Sequence, residues 1–451
     1  MQRSVLIVTP YFAPQNHAAV FRAYKLTKYL PQFGWKPIVL TVDTQYEYNE
    51  DPDLLTSLPK EVEVVKARYI EPTFRGVRMA LGGRDRTFNA LKRQLTPTDG
   101  AVAGTQPSVA RRMYQRALAN YVQNPDAYWT WAKRATALGQ KLMHERNVSI
   151  VFTSCSPYSS LEIGLELQKC GAKWVADFRD PLGYSQKLAN YSARVYPRQR
   201  AIVRAALTHA DAVTVLASSY GSIFRDLFGN GYPDPIFIPT GIDQDVAAWK
   251  TPVEINTAPN LIFAGEYLPD YDTTFLEAFA RSLSNPEVRN TGVKLLVVGT
   301  LLLNQRRLMP QLERFKIVDS VTFLDQMPQS ELYRLVRSSR SGVLIPGKNA
   351  FWWTNFAKMT DFIGMRKPVV AVVPDPSEAR TALTRSRLGI FLDGSVEQRA
   401  ATLTDFLLGR YPLPAPDENE CERYTARRQV QSFVEIFESL TKTKAMTASV
   451  G

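Results

Sequence analysis

Lys358 and Asp361 stand three apart in Val343–Pro374, a stretch that reads as strand, polar loop, helix and strand. The outer runs, Val343-Leu-Ile-Pro346 and Pro368-Val-Val-Ala-Val-Val373, are short, β-branched and apolar on both faces, as buried parallel strands are. Between them Thr354 or Asn355 is placed to cap a helix from Phe356 to about Ile363, with Gly364 to end it. On that helix Lys358 and Asp361 share one face near the N-terminus. A helix N-terminus attracts anions, and a carboxylate one turn on can hold sugar hydroxyls. Phosphate at one end and ribose at the other is what a nucleotide demands. A surface ion pair is the plainer reading of the same spacing. Lys348, in Pro346-Gly-Lys348, is a further phosphate candidate, and Gly347 lets a ligand approach the backbone. No Gly-Lys-Ser/Thr pattern follows, so this is not a P-loop. Trp352 or Trp353 can stack on a base or a sugar, or pack as core.

The first half offers a second group. The loop Pro10 to Ala19 follows a strand and opens a helix, and its His17 is a candidate general base or hydrogen-bond donor at neutral pH. An exposed loop histidine is the alternative. Asp177, Arg179 and Asp180 end another strand, where catalytic loops sit in open sheets. The same trio can instead be a structural ion-pair knot.

Strand–helix alternation is what would position these residues. Strands read at Val5–Val8, Pro37–Val42, Glu63–Val65, Ile150–Thr153, Lys173–Asp177, Ala212–Leu216 and Pro235–Pro239, with helices at Ala18–Leu30, Tyr128–Arg146, Ser159–Lys169 and Ser218–Phe228. The pattern restarts at Asn260–Ala264, a strand followed by Gly265, and continues through Lys294–Val298, Val321–Leu324 and Val343–Ile345. The polar stretch from about Asp245 to Pro259 reads as a linker. The expected fold class is α/β, with two doubly wound domains and a ligand in the cleft between them. The domains are expected at residues 1–245, with a basic insertion at about 74–127, and at 246–420. Residues 421–451 form a helix and tail packing back on the N-terminal domain.

Composition sets the outer bounds. The chain has 451 residues, 45% hydrophobic and 22% charged, enough for two or three cores. Cys155, Cys170 and Cys421 form neither a disulfide framework nor a metal-ligand cluster, which favours a reducing compartment. The chain opens directly on a strand, without a signal-like segment. No apolar run reaches the roughly 20 residues of a membrane span. The net charge of +12 is concentrated: Phe74 to Arg146 holds thirteen Lys or Arg against four Asp or Glu. Apolar residues such as Phe74, Leu81, Phe88, Met113 and Tyr121 are interleaved, which suits peripheral contact of residues 74–146 with anionic lipid headgroups. A solvated surface is the alternative. No nucleic-acid-binding motif accompanies the charge, so no nucleic-acid partner is expected.

Four places together carry a family resemblance. They are Pro10-Tyr-Phe-Ala-Pro14 with Arg22 and Lys28-Tyr-Leu-Pro-Gln-Phe-Gly-Trp35; Thr153-Ser-Cys-Ser-Pro-Tyr-Ser-Ser160 leading to Val175-Ala-Asp-Phe-Arg-Asp-Pro181; Ile238-Pro-Thr-Gly-Ile-Asp243; and Lys358-Met-Thr-Asp-Phe-Ile-Gly-Met-Arg-Lys-Pro-Val369. In this order the chain, from about Ser4 to Leu408, resembles the GT-B fold glycosyltransferases, in particular the family 4 type of bacterial polysaccharide assembly. The resemblance implies a retaining, metal-independent hexosyltransferase. It would move a sugar from a nucleotide-sugar donor, UDP- or GDP-linked, to a lipid-linked or glycan acceptor, with no further cofactor. It places Asp361 on the ribose hydroxyls, Lys358 and Lys348 near the donor diphosphate, and Gly265, Glu266 and Trp353 at the donor site. His17, Asp177, Arg179 and Asp180 would be catalytic, and Asn16, Arg22, Ser156 and Tyr158 would face the acceptor. The expected location is cytoplasmic, at the inner face of the plasma membrane.

The chain departs from the family pattern in three places. Gln15-Asn-His-Ala-Ala19 stands where glycines are usual. Glu266 follows Gly265 where many relatives have a basic residue, and a carboxylate beside a diphosphate is unfavourable unless neutralised. Trp353 stands where many carry an acid. Asp270 and Asp272 form a DxD pair in appearance only. These departures leave room for altered donor choice or for a catalytically silent nucleotide-sugar binder, and a sugar-nucleotide epimerase can use the same two-domain architecture.

Overall fold

The computed structural model describes residues 3–43, 50–82, 113, 117–182, 194–246, 260–269, 271–348 and 351–448. The chain separates into two compact units, residues 1–238 with 430–451, and residues 239–429.

The first unit is built on seven parallel strands: β1 (Arg3–Val8), β2 (Trp35–Val42), β3 (Glu63–Ala67), β4 (Ile150–Cys155), β5 (Lys173–Phe178), β6 (Ala212–Val215) and β7 (Ile236–Phe237). Their order is β3-β2-β1-β4-β5-β6-β7. Val5 to Val8 and Ile150 to Phe152 are wholly buried, which is why these central strands are unbroken apolar runs rather than alternating ones. The order reverses between β1 and β4. From β1 the chain leads outward through the helix Ala18–Tyr29 to β2, and from β4 it leads the other way through Ser159–Lys169 to β5. An open parallel sheet takes its ligand beyond the carboxyl ends of such a strand pair.

The second unit repeats the scheme with six parallel strands: β8 (Leu261–Ala264), β9 (Leu295–Val298), β10 (Val321–Leu324), β11 (Ser341–Leu344), β12 (Val369–Ala371) and β13 (Gly389–Phe391). Their order, β10-β9-β8-β11-β12-β13, reverses between β8 and β11. One face of the sheet closes over a core that includes Phe263, Phe275, Phe279, Leu403 and Phe406. The other closes over Ile262, Leu344, Phe362, Val369 and Leu383.

The division falls at 238 and 430 rather than at the expected 245 and 421. The segment after Ile238 is tied to the residues before Val430. Gly241 N donates to Gln429 Oε1 (2.7 Å), Ile242 N to Tyr424 O (2.7 Å) and Ala426 N to Ile242 O (2.8 Å). Beyond Gln429 the last helix, Ala426–Ala448, joins the first unit. Its Phe433 packs edge-on to Phe152 at 5.2 Å and its Phe437 to Trp35 at 5.4 Å.

Much of the basic insertion lies outside the described residues, as do residues 247–259 of the expected linker. The described part includes a short helix, Phe74–Ala80, whose Phe74 and following Leu81 are 78% and 82% exposed. Among the described residues no helix is long and apolar enough to cross a membrane.

Candidate functional site

At the reversal point of the first unit, the loop after β1 brings Tyr11 and His17 together. His17 precedes the helix Ala18–Tyr29 with an extended backbone and does not cap it. Its Nε2 lies 3.2 Å from Gln15 Oε1, and its ring stands edge-on to Tyr11 at 5.2 Å. Tyr11 also meets Tyr128 edge-on at 5.4 Å and carries the Arg179 guanidinium 5.4 Å over its ring. Arg179, just past β5, donates Nε to Ser154 Oγ (3.1 Å) and Nη2 to the Ser156 carbonyl. The structure therefore gathers His17, Tyr11, Arg179, Ser154 and Ser156 at the carboxyl ends of β1, β4 and β5. Asn16, Ser156 and Asp180 are half-buried and Tyr158 is buried.

Two expected site residues take another role. Arg22 donates Nε and Nη2 to Asp177 Oδ2 (2.8 Å) and Oδ1 (2.7 Å), and Nη1 to the Ile238 carbonyl (2.7 Å). Thr214 Oγ1 donates to Asp177 Oδ1 (2.6 Å), and Phe433 lies 5.2 Å beneath the guanidinium. The two side chains are 1% and 0% exposed. A forked ion pair this dry orders the fold and presents neither partner to an acceptor or a reacting atom. Sequence reasoning also passed over Asp126. Its Oδ2 accepts from Ser159 N (2.8 Å), and its Oδ1 from Ser159 Oγ (2.7 Å) and Tyr128 N (2.8 Å). It thus fixes both Tyr128 and the start of the helix after β4, and burial pushes its carboxyl group up. Asp126 lies 33 residues from Ser159, and no local pattern joins them.

In the second unit, Gly265 follows β8 with φ +124°, and the place a Cβ would occupy is open. Glu266 accepts from Arg307 Nη1 at 2.7 Å, and the same nitrogen donates to the Tyr267 carbonyl at 2.6 Å. Arg307 belongs to the helix Leu301–Phe315. The carboxylate that appeared misplaced in the sequence thus has a cation on it. Beyond β11, Lys348 is exposed. Gly347 has φ +60°, and a Cβ there would fall 2.2 Å from Asp272 Cβ, so the glycine makes room for Asp272 rather than for a ligand. Asp272 itself accepts from Thr274 N at 2.6 Å and so serves the start of the helix Thr274–Leu283. Asp270 lies outside the described residues.

The helix bearing Lys358 and Asp361 is Ala357–Gly364, entered through Phe356 rather than through Thr354 or Asn355, and the Phe356 side chain makes no capping bond. Its first-turn N–H groups are of the kind that anions satisfy. The two residues do not pair with each other. Lys358 Nζ lies 3.7 Å over the ring of Phe263, the third residue of β8, and 5.3 Å from Tyr271. Burial among these rings pulls its ammonium down to about 7. Asp361 Oδ1 accepts from Tyr333 Oη at 3.2 Å, while Gln329 Nε2 donates to that phenol oxygen at 2.8 Å. Tyr333 is buried, and burial with the Asp361 charge pushes its phenol far up, so it stays a donor. Trp353 is 7% exposed and packs as core, which removes it as a stacking platform. Lys358 thus sits against β8 beside its reversal with β11, with Gly265 just after β8 and Lys348 just beyond β11.

No protein-family profile matches the sequence, and no curated protein matches it. Solved structures match along its whole length. Sucrose-phosphate synthase from Thermosynechococcus elongatus superposes with a TM-score of 0.60 at 12% identity, over 98% of this chain and 100% of that one. The α,α-trehalose 6-phosphate synthase of Burkholderia multivorans gives 0.58 at 13%, over 99% and 98%. A TarM variant from S. aureus, solved with UDP, α-GlcNAc-glycerol and fondaparinux, gives 0.57 at 8%, over 96% and 99%. At these identities the likeness is one of fold. The chain has the two-domain α/β architecture called GT-B.

Proposed function

We propose that this chain is a glycosyltransferase that takes a sugar from a UDP- or GDP-linked donor and passes it, with retention and without a metal, to a lipid-linked or glycan acceptor. The observation that carries the reading is the helix Ala357–Gly364. It places Lys358 over β8 at the sheet's reversal point and holds Asp361 on Tyr333 one turn further along. The Asp361 carboxylate would accept the ribose hydroxyls. Lys358, Lys348 and the first-turn N–H groups would stabilise the nucleoside diphosphate as it leaves. Acceptor recognition would fall to the first unit, where His17, Asn16 and Ser156 gather around Tyr11 and Arg179 at the other reversal point. Likeness to a TarM structure containing UDP favours UDP among the donors. We place the protein in the cytoplasm, at the inner face of the plasma membrane and in polysaccharide assembly as a family 4 type.

The test is thermal unfolding with UDP, GDP, ADP and CDP and their sugars, wild type beside Asp361→Ala. One nucleotide should raise the midpoint of the wild type and not of the variant. No shift with any of them at millimolar concentration would sink the donor reading. Glu266 favours a second reading, a binder without turnover, although Arg307 neutralises it. Donor hydrolysis and transfer to an added acceptor separate transferase, epimerase and silent binder.

A further inference from the structure

Glu266 and Arg307 form an ion pair at the carboxyl end of β8, beside the open side of Gly265. Neither group is deeply buried, with side chains 43% and 25% exposed for Glu266 and Arg307. Arg307 is nonetheless held in place, since Nη1 also donates to the Tyr267 carbonyl. Tyr267 is itself fixed: its N–H donates to Asn304 Oδ1 at 2.8 Å, and Asn304 Nδ2 donates to the Gly265 carbonyl at 3.0 Å. The Leu301–Phe315 helix is therefore clamped to the turn after β8 at Asn304, and Arg307 sits one turn further along it.

Guanidinium has five N–H donors in a flat fork, suited to a carboxylate or to a phosphate alike. A carboxylate on that fork at a partly exposed site contributes little to stability and is exchangeable. Its place at the strand end, where the open sheet takes its ligand, makes it a local competitor for any anion that arrives. The identity of the anion rests on the donor reading above.

We propose that Arg307 is a diphosphate-binding residue of the donor site and that Glu266 is its internal placeholder, displaced from the guanidinium when the nucleoside diphosphate binds. The exchange moves no proton and breaks no covalent bond. A carboxylate leaves the guanidinium and a phosphate oxygen takes its position. Glu266 in this role lowers affinity for the diphosphate and for free anions, and so favours product release.

The experiment is titration of wild type, Glu266→Gln, Arg307→Gln and Arg307→Lys with UDP and UMP, using whichever of UDP, GDP, ADP or CDP the wild type binds and its monophosphate if UDP is not that one. Arg307→Gln should weaken the diphosphate about tenfold or more and the monophosphate much less. Arg307→Lys should restore part of the loss. Glu266→Gln should tighten the diphosphate several-fold, and the double variant should show no gain from removing Glu266. In turnover, Arg307→Gln should raise the donor KM more than it lowers kcat. Unchanged diphosphate affinity in Glu266→Gln and Arg307→Gln, with apo unfolding midpoints equal to wild type, would overturn the proposal and leave the donor reading standing. Failure of the wild type to bind any of the four diphosphates would overturn both.

Discussion

Arg22 and Asp177 show how a sequence motif can be right about place and wrong about role. Both lie near the carboxyl end of β5, yet Arg22 is committed to Asp177 and the Ile238 carbonyl, and Asp177 to Arg22 and Thr214. Asp177→Asn would leave a buried guanidinium without its counter-charge, and the expected loss of stability is about 3–5 kcal/mol. Urea unfolding reads it, and an unchanged midpoint would refute the structural role. Lys358 is the opposite case, a charge kept from pairing by aromatic rings. Its pKa falls from 10.5 to about 7 on folding. Between those values the unfolded chain binds a proton that the folded chain does not, so this lysine makes stability rise with pH across that window and level off below about 7. A bound diphosphate favours the charged lysine. Affinity for the diphosphate should therefore be flat below about pH 7 and decline above it, and Lys358→Met should abolish that slope. A slope that persists in the variant would assign the titration elsewhere.

At the scale of elements, legibility followed hydrophobic run length. β1 and β9 were readable because each carries a run of four apolar, buried residues, and β4 because Ile150-Val-Phe152 opens a wholly buried strand. β13 was not, since Gly389-Ile-Phe391 is too short to stand out. The helix Leu301–Phe315 was also missed, because Pro310 falls inside it and proline ordinarily ends a helical reading. Arg307 was lost with that helix, which is why Glu266 looked uncompensated. Lys358 and Asp361 were visible because they are local to one helix. Tyr333, 28 positions from Asp361, was not, since only the folded sheet brings the two helices together. The helix Phe74–Ala80 belongs to the basic stretch and exposes Phe74 and Val77, with Leu81 just beyond. Phe74→Ser with Leu81→Ser should reduce flotation with anionic liposomes and leave the unfolding midpoint unchanged, because neither side chain is packed. Unaltered flotation would refute membrane contact through this helix.

For the whole molecule, repetition of strand and helix was enough to show two doubly wound units, but the division between them was not readable. It depends on backbone bonds joining Gly241 and Ile242 to residues 424–429, far apart in sequence. Those bonds predict that residues 239–429, expressed alone, fold and keep the nucleotide-specific thermal shift; loss of the shift in a folded fragment would show that the first unit contributes to nucleotide binding. They also mean that the second unit enters and leaves at one place, Ile242 beside Thr425. It is, in effect, a cassette set into another protein, with adjacent ends. A short linker joining those ends, and new termini opened at a surface loop, should give a circular permutant of the unit with its core unchanged. For an evolving gene the same arrangement makes the second unit a single exchangeable insert, while the first unit is written on both sides of it.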